Sequence, residues 1–408
     1  MFPGRSFVYS AGPLASRNWF GPCGFSFLLA VNNKTPLNIS GLDLRKTAFM
    51  TLILSNEEIE QVLHMDDLIP VLEEAYIELV EGRGGNRRRS DIVTPTTLRE
   101  DGLYALKSMD GVLPKFGVGA VRLNSDILTF PTTGNEMRRV KVPAAPNNRY
   151  VGLVLLFSTH NGEPLMICPD GVMQRMRVGA TNGIAAKYMS QNEADTLAIL
   201  GSGWQAGAQV MAHNSVRNLK DIRVYSPTKS KREAFAKEMS ELINKEVKPY
   251  FSGEQACKGA QIVACATNAV MPVFFHEWLQ PGMHIGTVRP GATEVERKAW
   301  PDIDLFALLD HDDNAEMIYT HGVLVGEDKI GSYGIEHDEW HASLPSLPQI
   351  INGEREGRIN DKQCTCFLNN LGMGYQFAAT GYVVYKKAKE LGLGQELPTD
   401  LFTETVHP

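Results

Sequence analysis

Gly201-Ser-Gly-Trp-Gln-Ala206 follows the apolar run 197–200 and precedes residues able to form a helix. Each small residue there answers a separate demand of a pyrophosphate. Gly201 permits the tight turn, Gly203 lets the backbone approach the phosphates, and Ala206 keeps the helix close to the strand. Trp204 and Gln205 would open that helix, with the positive end of its dipole turned toward the phosphates. A glycine turn alone is a weak signal. It gains weight from a second strand candidate, Ile222-Arg-Val-Tyr225, at the distance of one strand-helix-strand unit. After that strand, enzymes using NAD commonly carry an acid for the ribose 2′-hydroxyl. Here the chain reads Ser226-Pro-Thr-Lys-Ser-Lys-Arg232, with no acid before Glu233. Hydroxyls at Ser226 and Thr228 and charge at Lys229 and Arg232 suit a phosphate, which favours NADP(H) and leaves NAD(H) open.

Other reactive residue types offer less. His337 and His341 are spaced to share a helical face, but Glu339 is out of place for the zinc-protease motif, and no metal is expected. The six cysteines show neither metal nor disulfide spacing; Cys364 and Cys366 read as small buried hydrophobes of a strand. That usage favours a reducing, cytoplasmic setting. A net charge of −7 argues against a nucleic-acid or anionic-membrane partner. No apolar run approaches the roughly 18 residues that span a bilayer.

The elements that must position these residues can be followed along the chain. Residues 1–49 carry Arg5, Arg17, Lys34, Arg45 and Lys46 against one acid, Asp43, without helical or alternating period. A disordered or leader-like extension is expected there, with a transit-type leader as the alternative to a plain cytoplasmic protein. At Met50 a strand begins, followed by Ser55 as an N-cap with Glu58 at the capping-box position. Apolar spacing predicts a helix over 68–80, strands at 103–106, 117–122 and 151–157, and a helix rich in small residues over 172–188. Strand and helix then alternate through 262–267, 284–288 and 305–309, as in a doubly wound sheet. Residues 363–394 read as mostly helical. With 408 residues and 43% hydrophobic side chains, two domains are expected.

Several separated motifs, in order, carry a family resemblance. They are Met176-Arg-Val-Gly-Ala-Thr-Asn-Gly-Ile-Ala-Ala-Lys-Tyr188, the turn 201–206, Ala266-Thr-Asn268, Pro281-Gly-Met-His-Ile-Gly286 and Arg289-Pro-Gly-Ala-Thr-Glu294. Asn352-Gly-Glu-Arg-Glu-Gly-Arg358 and Gly372-Met-Gly-Tyr-Gln376 extend the match, which runs over about residues 50 to 395. The chain resembles the ornithine cyclodeaminase/mu-crystallin family. That resemblance implies an α/β fold in which a Rossmann-type doubly wound dinucleotide domain, 178–345, is inserted into an α+β substrate-binding and dimerisation domain, 50–177 plus 346–402. It also implies a homodimer, a nicotinamide cofactor, and a small amino acid, imine or 2-oxo acid substrate.

Site residues follow from the same match. Arg177 is expected to hold the substrate carboxylate or the cofactor phosphates. Of the run Arg87, Arg88 and Arg89, the last matches the family's carboxylate-binding arginine. The family's active-site lysine falls near Arg122, which can clamp a carboxylate but serves poorly as an acid or base; Lys107 is the alternative, either catalytic or on a solvated strand. Thr267 and Val288 join Gly201, Gly203, Trp204, Gln205, Ala206, Ser226, Thr228, Lys229 and Arg232 as expected cofactor contacts. Where the cyclodeaminases carry a catalytic aspartate, this chain has Val288, which cannot move a proton. The resemblance therefore favours an NADP(H)-dependent ketimine reductase or amino-acid or opine-type dehydrogenase. A cyclodeaminase-like ammonia lyase with bound NAD, and a non-catalytic protein that binds NADP(H) and a small ligand, stay open.

Overall fold

Two strand patterns build two different sheets in the computed structural model, which describes residues 49–406 except 134–135, 138–139, 270, 290–292, 312–314 and 324–338, with backbone alone at 132–133 and 136–137. All but the last residue of the expected extension, 1–49, lies outside the described residues. Ser55 caps helix α1 (Asn56–Val62), with the reciprocal bond from Glu58 that its position predicts. Helix α2 (Met65–Val80) ends where the apolar spacing predicts and starts three residues earlier.

The first sheet begins with β1 (Met50–Ile53), β2 (Gly85–Asn86), β3 (Ser90–Pro95), β4 (Gly102–Leu113) and β5 (Val118–Thr129). A separate ladder of β6 (Thr132–Thr133) and β7 (Glu136–Met137) intervenes before β8 (Val140–Val142), β9 (Val151–Ser158) and β10 (Pro164–Pro169) return to it. Burial alternates along the long strands, with Lys107 and Met109 on the inner face of β4 and Arg122, Asn124 and Asp126 on that of β5. The antiparallel register sets Met109 opposite Arg122 and Lys107 opposite Asn124. A period of two thus brings three ionisable groups onto one buried face. The C-terminal helix Gly374–Leu391 lies across β4 and β5, and α2 packs on it, with Tyr76 edge-on to Tyr375.

Helix α3 (Gly171–Met189) leads into β11 (Thr196–Leu200), and α4 (Trp204–Val216) follows the glycine turn. Next come β12 (Asp221–Tyr225), α5 (Lys229–Ile243), β13 (Val247–Pro249), β14 (Ile262–Cys265), β15 (His284–Thr287) and β16 (Leu305–Leu308). The remaining strands are β17 (Glu316–Tyr319), β18 (Thr365–Leu368) and β19 (Gln395–Pro398). The second sheet has the order β13-β12-β11-β14-β15-β18-β16, parallel throughout. Its strand order reverses between β11 and β14, where such sheets hold ligands beyond the carboxyl ends of the strands. This is the expected α/β architecture with a Rossmann-type sheet.

Two stretches depart from the sequence reading. Residues 363–394 are not helical throughout, because the fully buried run Thr-Cys-Phe-Leu forms β18, covered on both faces. The chain also passes between the sheets more often than boundaries at 178 and 346 imply: β17 pairs with β3 in the first sheet, and β18 with β15 and β16 in the second. Between α3 and α4 the small residues allow close contact. A Cβ added at Gly179 would lie 2.6 Å from the carbonyl oxygen of Ala208, so this helix crossing requires glycine. Among the described residues no helix is long and apolar enough to cross a membrane.

Candidate active site

Arg89, Lys107, Arg122, Lys141 and Arg177 line one cleft of about 260 Å³, with Val288 and Gly372 also on its wall. The four basic residues expected at the substrate, Arg89, Lys107, Arg122 and Arg177, therefore meet, and Lys141 joins them. Acids hold most of these cations. Arg89 donates to Asp91 through Nε at 2.6 Å and pairs with its other oxygen through Nη2. Arg122 grips Asp170 through Nε and Nη2 at 2.8 and 2.7 Å, and Asn124 donates to the same oxygen at 3.0 Å. Lys107 and Lys141 share one oxygen of Asp126, at 2.5 and 3.1 Å. Burial pushes the Asp126 carboxyl up, but the two ammonium groups outweigh it and hold it below its ordinary value. Lys107 is buried, so its alternative as a solvated strand residue does not hold.

Arg177 is held differently. Its side chain leaves α3 into the cleft and is 3% exposed. Nη1 donates to Gln376 Oε1 at 2.8 Å, and Nη2 to Gln174 Oε1 at 2.8 Å. The guanidinium carbon lies 5.1 Å from the centre of the Phe377 ring. Among the described residues no carboxylate forms an ion pair with it. Burial, followed by the nearby charge of Arg122, pulls its pKa down to about 9, leaving it charged at neutral pH. Gly372 makes room for it: a Cβ there would fall 2.3 Å from Nη2. A buried cation whose hydrogen-bond partners are neutral is a ready seat for an anion.

At the carboxyl ends of the second sheet, the residues fit a dinucleotide. Gly201 has φ +125°, and an added Cβ would lie 2.2 Å from the Ala266 carbonyl oxygen, so glycine is required twice over. Gly203 precedes α4, and nothing stands within 4 Å of where its Cβ would be, which leaves the approach to the helix open. Ala206 is buried against the sheet, as expected. Gln205 carries a buried Oε1 without a hydrogen-bond partner. Trp204 is 54% exposed, with the Arg175 guanidinium 3.9 Å over its ring.

The loop after β12 is braced from within. Ser202 donates to Ser226 Oγ at 2.8 Å, and Thr228 precedes α5 without bonding its amides. Arg232 is buried and donates to the carbonyls of Ser226 and Pro227 at 3.1 and 3.4 Å, so it shapes the loop rather than reaching into solvent. Lys229 is exposed, 3.9 Å from Glu233, and so is Lys231.

Glu294 ties two further loops together. One of its oxygens accepts from Thr267 N and Oγ1, each at 3.0 Å; the other accepts from the amides of Val288 and Arg289 at 2.9 and 3.1 Å. Burial raises its pKa, and these donors only partly offset that. Sequence reasoning quoted Glu294 and Gln376 within motifs without a role, and passed over Asp126, Lys141 and Asp170. Of the histidine pair, His337 lies outside the described residues, while His341 is buried with its ring 5.8 Å from that of His311. Among the described residues no group of three metal-binding side chains occurs.

The model of the ornithine cyclodeaminase/mu-crystallin family matches residues 50–392. This chain belongs to that family. A Delta(1)-pyrroline-2-carboxylate reductase of Bacillus cereus is 30% identical over 285 residues, which span 66% of this chain and 83% of that protein. Within the family fold, a Thermococcus litoralis Delta(1)-pyrroline-2-carboxylate reductase solved with NADH and L-proline superposes with a TM-score of 0.66 at 24% identity, covering 85% of this chain and 100% of that one. An archaeal alanine dehydrogenase dimer solved with NAD gives a TM-score of 0.66 at 23% identity, over 86% of this chain and 99% of that one.

Proposed function

We propose that this chain is an NADP(H)-dependent reductase of a small imine carboxylate, acting on a cyclic ketimine or on the imine of a 2-oxo acid and an amine. The observation that carries the reading is Arg177, a buried guanidinium with no carboxylate partner among the described residues, in one cleft with Lys107 and Val288. A reduced nicotinamide, when bound, supplies the hydride for the imine carbon. Gly201, Gly203, Thr267 and Val288 would hold that cofactor beyond the strand ends. Arg177 fixes the substrate carboxylate through its planar fork. Arg122 and Arg89, already joined to Asp170 and Asp91, shape the wall beside it. Lys107, held by Asp126, keeps a proton beside the imine nitrogen, so the acceptor stays cationic until reduced.

Val288 separates this reading from a lyase. If cyclodeamination needs a carboxylate at that turn, worth roughly 10² to 10⁴-fold, ornithine or lysine with catalytic nucleotide should release no ammonia. A cyclic ketimine carboxylate should instead consume NADPH stoichiometrically. Following absorbance and ammonia on one preparation reads both; ammonia without net nucleotide consumption would overturn the reductase, and silence with tight NADPH binding would favour a binding protein. Nucleotide choice has its own test. With Ser226, Thr228 and Lys229 where an acid would stand, NADPH should bind at least roughly tenfold tighter than NADH. Isothermal titration with both nucleotides measures this, and equal affinities would sink the NADP(H) assignment.

The outer face of the first sheet supports a homodimer. Ile318 lies beside Ile92, and Ile92 beside Leu106, across three neighbouring strands. All three are exposed, as are Val151 and Leu153 on β9. A sheet face this apolar is normally covered, and in the proposed assembly a second copy of the chain covers it.

A further inference from the structure

The cations of the cleft differ in the chemistry of what holds them. Arg89, Lys107, Arg122 and Lys141 each contact a carboxylate, whereas among the described residues the side-chain acceptors around Arg177 are the amide oxygens of Gln376 and Gln174. Gln376 is fully buried, and its orientation is fixed from four sides. Its Oε1 accepts from Arg177 and, at 2.9 Å, from the amide of Met373; its Nε2 donates to Tyr76 OH at 2.9 Å and to Thr181 Oγ1 at 3.2 Å. A flipped amide would set N–H against both the guanidinium and the Met373 amide. Gln174 Oε1 takes Nη2 and, at 3.3 Å, Nε. Between them the two amides fix the plane of the fork while leaving its charge uncancelled. Glutamate at either position could aim the guanidinium equally well, but would neutralise it before any substrate arrived.

We propose that Gln376, assisted by Gln174, is a specificity-determining positioning residue: by holding Arg177 with neutral oxygen, it makes the cleft select an imine that bears a carboxylate over the same imine bearing an uncharged amide. This rests on the reductase reading, yet binding can test it without turnover. A carboxamide and a carboxylate have nearly the same shape, so the cleft distinguishes them by charge and by the one acceptor oxygen that the amide replaces with a donor.

The test compares wild type with Gln376→Glu and Gln174→Glu. The affinities of a cyclic imino-acid carboxylate and of its carboxamide are measured by calorimetry with NADP⁺ present, and KM and kcat for the matching ketimines are measured in parallel. Wild type should prefer the carboxylate. Gln376→Glu should weaken carboxylate binding and raise its KM on the order of tenfold or more, while the carboxamide binds as before and kcat stays within about threefold. Because Gln376 is fully buried, its variant could fail to fold; half-buried Gln174 then carries the same prediction. Equal losses for both ligands would reduce the glutamines to a structural role and overturn the inference, as would unchanged selectivity in the variants. A wild type that binds carboxylate selectively yet reduces no ketimine would defeat the reductase reading alone. One that binds neither ligand, or both equally, would defeat this inference.

Discussion

Arg177→Ala is expected to lower kcat/KM for a ketimine carboxylate by a factor on the order of a hundred or more, since a bidentate charge-assisted contact is lost at the reacting site. The same substitution should leave the fold intact. Removing one partner of a buried ion pair strands the other charge, but no carboxylate among the described residues depends on Arg177. Only the two glutamine oxygens lose a donor, and Gln376 keeps the Met373 amide. Relief of an uncompensated buried charge works in the opposite direction and supports stability. Melting temperature should therefore hold within a few degrees while turnover collapses, as thermal denaturation and steady-state kinetics on one sample would read. Wild-type turnover in the variant would make the arginine structural.

Glu294→Ala should do the reverse, damaging the fold and cofactor binding together. It removes the acceptor for the amides of Thr267, Val288 and Arg289 and for the Thr267 hydroxyl. Each buried donor left unsatisfied costs about 1 to 3 kcal/mol, although water entering the loops would recover part of this. A net loss of roughly 2 to 4 kcal/mol is expected. NADPH affinity should fall by a factor on the order of ten or more, because two of the loops at the strand ends lose their common anchor. Melting curves with and without NADPH measure both effects. An unchanged ligand-induced shift would mean that these loops are held by other contacts.

What could be read from the sequence was what depends on local chemistry. The 201–206 turn is legible because a positive φ and a close strand-to-helix passage admit few residue types, and Ser55 with Glu58 because a capping box closes within four residues. Lys107, Arg122, Arg89 and Arg177 were found from the order of motifs. Their partners were not. Asp126 reaches Lys107 only through the pairing of β4 with β5, Asp170 meets Arg122 from the end of another strand, and Glu294 spans two loops of the second sheet. No spacing rule encodes such contacts, since they depend on strand register and chain crossing. Strand β18 was legible only through Cys364 and Cys366, because four consecutive buried residues show neither helical nor alternating period.

The glycine-to-alanine crossing of α3 on α4 also bears on how the cleft can move. Helix α3 starts at the end of β10, carries Arg177 in its second turn, and meets α4 where Gly179 and Gly183 face Ala208 and Ala212. Helix α4 in turn begins at the nucleotide turn. Sliding or rolling at this crossing would drive backbone into backbone, because the crossing has no side-chain cushion to absorb the shift. Arg177 and the 201–206 turn are thus joined by a stiff strut, and a jaw-like hinge between them would have to bend a continuous helix. On the proposed reading, substrate range would be set by the side chains of β4 and β5 that line the cleft, and would change through them rather than through a wider opening.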